Sequence, residues 1–143
     1  MRRSRFLFGF AAAAALCGAA HASPAQDYML YCMGCHGAQA EGVPGKIPPL
    51  KQLGLYMRTA AGRDYVLRVP GAANSVLSDV QLTAVLNWLA REYDSKELAA
   101  DVPLFTVAEV AARRHSALAS VLATRRQVVH DLAATGPAPP ADY

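Results

Sequence analysis

Two thiols three residues apart, with an imidazole directly behind the second, are the chemistry-bearing feature of this chain: Cys32-Met33-Gly34-Cys35-His36. At the end of a helix, thiols at this spacing can reach the two vinyl groups on one edge of a porphyrin. The histidine that follows is then carried under the ring, where its imidazole can ligate iron, and C-x-x-C-H is the attachment pattern of c-type haem. Two other chemistries use part of the pattern. A redox-active dithiol needs only the C-x-x-C, set in alternating strands and helices that this sequence does not suggest. A zinc site needs a second ligand pair, and no further cysteine lies beyond Cys35.

The start of the chain bears on the compartment. Arg2, Arg3 and Arg5 precede an apolar run from Phe6 to Ala20, and Ala20-His21-Ala22 supplies a small-x-small cleavage pattern. This order predicts a signal peptide over residues 1–22, with export to the bacterial periplasm or beyond. The apolar run falls short of the roughly 20 residues that span a bilayer, so no membrane span is expected after cleavage. The leader also removes Cys17, leaving Cys32 and Cys35 with no structural disulfide to form. Its three arginines account for the whole formal net charge of +3. The remainder is balanced, and a nucleic-acid partner is not expected.

The elements that must position the site read as helices throughout, an all-α chain. Ser23-Pro24 fits an N-cap followed by proline at the first helical position, opening a helix that carries Tyr28, Met29, Tyr31 and Cys32. Residues 37–50 hold Gly42, Pro44, Gly45, Pro48 and Pro49, and predict an irregular loop. A short helix is expected over residues 62–69. Ser78 and Gln81 form a capping box for the next, whose Leu82, Val85, Leu86 and Leu89 make one apolar stripe. After a linker at 94–103, Thr106 and Glu109 suggest a second capping box. It opens a long helix or helix pair to about residue 134, with a stripe through Val107, Val110, Ala111, Leu118, Val121, Leu122, Val129 and Leu132. The Pro-rich tail from Gly136 is expected to be disordered. The organisation is then a leader over 1–22, a haem domain over 23–95, and a linker, helical extension and tail over 96–143. The middle segment alone is too small to be comfortably stable by apolar burial, which a large bound apolar group would remedy.

From about residue 24 to 93 the chain resembles class I c-type cytochromes. The resemblance rests on Cys32–Gly37 at the end of the first helix, Pro48-Pro49-Leu50 after a glycine-bearing loop, Leu77-Ser78-Asp79 before the last helix, and Trp88 within it. It implies one covalent haem c on Cys32 and Cys35, with His36 as proximal iron ligand. It also implies that the carbonyl of Pro48 accepts the hydrogen bond from the His36 ring. Trp88, Tyr28 and Tyr31 are expected to be core packing. Residues 101–143 lie outside the resemblance.

The distal side departs from that family. Its methionine ligand usually comes from the stretch just before the last helix, here Gly71–Val76, which holds none. Met57 is the methionine that a rerouted loop would bring to iron, or else plain apolar lining. Asn74 is the alternative distal group, beside an open position. His115 and His130 have ligand chemistry, but with Arg113, Arg114, Arg125 and Arg126 around them they read first as a solvated helix face.

These features lead to an electron carrier rather than an enzyme: one electron passed between redox proteins, with a periplasmic dehydrogenase or oxidase complex as partner. An open sixth position would instead bind NO, CO or peroxide. A third reading makes the C-terminal helices a docking arm for a larger complex.

Overall fold

The computed structural model describes residues 22–93, 98 and 100–143. The leader expected at 1–22 lies, but for Ala22, outside the described residues, as do residues 94–97 and 99 of the linker. Among the described residues there are eight helices, and the one strand-like pairing is the bridge between Val43 and Ile47.

Helix α1 (Pro24–Tyr31) opens on a complete capping box: the Ser23 hydroxyl accepts from the Gln26 amide, and the Gln26 side chain accepts from the Ser23 amide at 2.8 Å. The single turn α2 (Met33–His36) follows a break at Cys32. Helices α3 (Leu53–Met57), α4 (Ala60–Arg68) and α5 (Pro70–Ala73) form the next layer. Helix α6 (Asp79–Tyr93) starts behind the expected Ser78–Gln81 box. It crosses α1 with Leu82, Val85, Leu86 and Leu89 buried, as the 3.6-residue period requires.

Beyond the linker the chain forms a helix pair, α7 (Val107–Arg113) and α8 (Val121–Ala133), each capped by a hydroxyl, Thr106 and Ser120. The break at residues 114–120 resets the helical phase, so the apolar stripe does not run through. Val110, Val129 and Leu132 are buried, whereas Val107 and Leu122 are exposed. Both helices pack on the first half of the chain, α7 against α6 and α4, α8 against α4 and α3. One buried cluster contains Tyr28, Leu67 and Leu89 together with Phe105, Val110 and Leu132.

Polar groups reinforce this union. The Asn87 side chain donates to the Phe105 carbonyl and accepts from its amide, both at 2.9 Å. Arg63 on α4 makes a forked pair with the Glu109 carboxylate and donates to the Pro103 and Leu104 carbonyls, its guanidinium 4.4 Å from the centre of the Phe105 ring. The tail expected to be disordered is laid back over α8: Arg125 donates to the carbonyls of Pro140 and Ala141, and Arg58 to that of Pro137. Carbonyl acceptors of this kind carry no side-chain signature, which is why composition alone suggests a free tail.

The Arg63 guanidinium holds the Glu109 carboxyl below its ordinary value of 4.5. A depressed carboxyl stabilises the fold fully above its unfolded value and loses that contribution as pH falls through the folded one. Glu109→Gln is therefore expected to cost about 2 kcal/mol near neutrality, because it leaves the arginine fork half-filled. In urea unfolding, the gap between wild type and variant should narrow as pH falls below about 4.5. A gap that stays constant over that range would contradict the pairing.

Candidate functional site

Cys32, Cys35 and His36 share one turn: the amides of Cys35 and His36 both donate to the Cys32 carbonyl, at 3.2 and 3.0 Å. Both thiols are free, Cys32 half-buried and Cys35 exposed. The turn ends at Gly37, whose φ of 79° is a left-handed conformation open to glycine at little steric cost. Its carbonyl accepts from the Tyr28 hydroxyl at 2.6 Å. Tyr28 is buried, packs on Trp88 at 5.6 Å between ring centroids, and burial pushes its phenol up to about 12. Trp88 meets Tyr93 edge-on, and the Tyr93 hydroxyl donates to the Ala38 carbonyl. Three aromatic side chains thus fasten the turn and the residues behind it to α6.

The loop then returns beneath the histidine. The Gly42 amide donates to the His36 carbonyl at 2.8 Å, and Gly42 has φ of 70° where a Cβ would run into the backbone of Ile47 and Pro48. The Val43–Ile47 bridge closes the turn and delivers Pro48. Its carbonyl lies 2.9 Å from His36 Nδ1. A carbonyl can only accept, so Nδ1 carries the proton and Nε2 is left with its lone pair. Burial also lowers the His36 pKa below its ordinary 6.5, outweighing the Pro48 bond. The ring is therefore neutral at physiological pH, the form in which imidazole binds a metal.

These groups fit haem c by the chemistry of the donor set. Burial, with help from Asp27 and Cys35, pushes the Cys32 thiol up. Among the described residues no three His, Cys, Asp or Glu side chains converge on one point. Two thiols on one helical edge and one oriented imidazole suit a macrocycle that brings its own four equatorial ligands.

The chain matches no known family model and no curated protein.

The remaining sequence candidates are distributed as follows. Met57 closes α3 and is 1% exposed, within the main cluster. Asn74 caps α5 and is exposed, lining a shallow cleft with Arg68, Ala73, His115 and Leu118. The structure therefore brings Asn74 and His115 to one cleft and leaves Met57 in the core. His115 lies past the end of α7 rather than on a helix, and His130 is exposed beside Asp131. Tyr31, expected in the core, is 53% exposed. Asp27 and Tyr28 take the inward face of α1, leaving Met29, Leu30 and Tyr31 on the outward one.

Two arginines escape a reading of the sequence. Arg114 and Arg125, expected on a solvated face, are 7% and 3% exposed. The adjacent Arg113–Arg114 and Arg125–Arg126 pairs are visible in the sequence, but an i,i+1 pair points in two directions and the inward member cannot be told from spacing.

Proposed function

We propose that this protein is a single-haem c-type cytochrome that carries one electron between redox proteins on the outer side of a membrane. The observation that carries the reading is the 2.9 Å approach of the Pro48 carbonyl to His36 Nδ1, which frees Nε2 beside two thiols of the same turn. In this reading the sulfurs of Cys32 and Cys35 anchor the haem as thioethers, and His36 Nε2 is the proximal ligand. Pro48 fixes the ring orientation and raises its basicity. Bound haem supplies a one-electron couple, whose potential rises with a thioether in the sixth position. Met57 is the methionine available for that role.

The leader-like residues 1–22 support export. Among the described residues no helix is long and apolar enough to cross a membrane. The partner is a second redox protein, of which a periplasmic dehydrogenase or oxidase complex is the expected kind. A second reading, an open sixth position that binds NO, CO or peroxide, is favoured by one feature: the segment Gly71–Val76 holds no methionine, and its Asn74 faces solvent.

The test is a visible spectrum of protein matured in a haem-attaching host, recorded reduced and oxidised, before and after CO. A c-type spectrum that survives acid–acetone extraction is expected, with no change on CO. Extraction of the colour would overturn covalent attachment, and a prompt CO shift would put the ligand-binding reading first.

A further inference from the structure

The C-terminal helices reach both segments that the resemblance offers for a sixth ligand, one through Arg114 behind α7 and the other through Glu109, which holds Arg63 of α4. On the α7 side, the buried Arg114 guanidinium donates to the carbonyls of Leu77 and Ser75, at 2.8 and 3.3 Å, and pairs with the Asp79 carboxylate at 3.2 Å. Its Nε also lies 3.3 Å from His115 Nε2. Those acceptors span the whole connection from α5 to α6. These bonds add to the connection's own ties: Leu77 is buried in the core, Ser78 caps α6 through Gln81, and the Ser75 amide donates to the Ala72 carbonyl at 3.3 Å, while Val76 between them is 81% exposed.

On the other flank, Glu109 of the same helix grips Arg63, and Arg63 Nη1 reaches back to the Met57 carbonyl at 3.4 Å. Helix α7 therefore sits between the two segments, bonded to one through its C-cap residue Arg114 and to the other through Arg63.

We propose that α7 is a brace that sets the mobility of residues 74–79 and of Met57, with Arg114 as its main positioning residue. Through that mobility it sets the rate at which small ligands gain the sixth position; this second limb rests on the haem reading above. A buried guanidinium that satisfies two carbonyls and a carboxylate at once cannot be replaced by a smaller donor, and lysine lacks the planar fork. Losing it leaves two backbone carbonyls and a carboxylate to water, which favours local opening of the connection without global unfolding.

The experiment compares wild type, Arg114→Gln, Arg114→Lys and the surface control Arg126→Ala, whose partner Asp142 is exposed. Amide exchange of residues 74–79 and 56–59 reads the brace itself, and the observed rate of imidazole binding to the ferric protein reads its consequence. Both Arg114 variants are expected to exchange about tenfold faster over residues 74–79 while α1 and α8 keep wild-type protection. Imidazole binding should accelerate by a similar factor, and Arg126→Ala should match wild type in both. Unchanged exchange in the Arg114 variants would overturn the brace. Faster exchange with an unchanged imidazole rate would overturn its control of the sixth position. A wild-type protein with no haem spectrum would instead remove the haem reading, and the exchange result would still decide the brace.

Discussion

Replacing Cys32 and Cys35 together with alanine is expected to give a chain with no covalent chromophore and no cooperative thermal transition at physiological temperature. The first half of the result follows from the proposed thioethers, since His36 alone binds haem reversibly and loses it on denaturation. The second follows from size. A short helical chain with one modest core has little stability in reserve, and a haem clamped against its first helix would contribute much of it. The single variants should separate the two sulfurs. Cys35 is exposed and Cys32 half-buried at the end of α1. Cys35→Ala is expected to keep haem on one thioether, and Cys32→Ala to lose a packed side chain as well. Haem staining after denaturing electrophoresis and a thermal melt by circular dichroism check the series. A double variant that still stains would refute the attachment, and one that stains weakly only before denaturation would support it.

Tyr28→Ala is expected to be as damaging by a different route. The ring is 2% exposed, packs against Trp88 and sits where α1 crosses α6. Its removal should cost about 3–5 kcal/mol, the usual range for emptying a buried aromatic site. That is a large share of the roughly 5–15 kcal/mol by which domains are stable. Tyr28→Phe keeps the packing and removes only the 2.6 Å bond to the Gly37 carbonyl. It should cost about 1–2 kcal/mol. The phenylalanine variant has the more informative consequence, because Gly37 directly follows His36: a loosened turn should broaden the His36 ring signals while α6 stays intact. Urea unfolding of both variants gives the magnitudes. A loss in Tyr28→Phe as large as in Tyr28→Ala would mean that the hydroxyl, not the ring, dominates.

Much of this architecture is legible in the amino-acid sequence, for local reasons. Ser23 with Gln26, Ser78 with Gln81 and Thr106 with Glu109 are caps whose partners lie three residues apart, so sequence spacing carries the geometry. The α6 stripe follows from the helical period alone, and the Cys32–His36 motif is chemistry at fixed spacing. Glycine at positions 37 and 42 marks turns because their positive φ angles exclude most other residues.

Other features depend on long-range placement. Arg114 and Arg125 are buried, and Arg63 half-buried, because backbone carbonyls from distant segments meet them, and a carbonyl is common to every residue type. Val107 and Leu122 are exposed because each stands in the first turn of its helix, and only packing decides which turn of each helix faces inward. Tyr31 lies at the surface because α1 is two turns long and can turn only one face to α6. The sequence by itself determined the helices, their caps and the cysteine–histidine turn, since each is written in residues a few positions apart. The tertiary structure decided that the C-terminal helices close over α4 and α6 and hold the segments around Met57 and Asn74. Contacts such as Arg114 to Leu77 and Arg63 to Glu109 join residues 37 and 46 positions apart, a separation over which no local pattern constrains the chain.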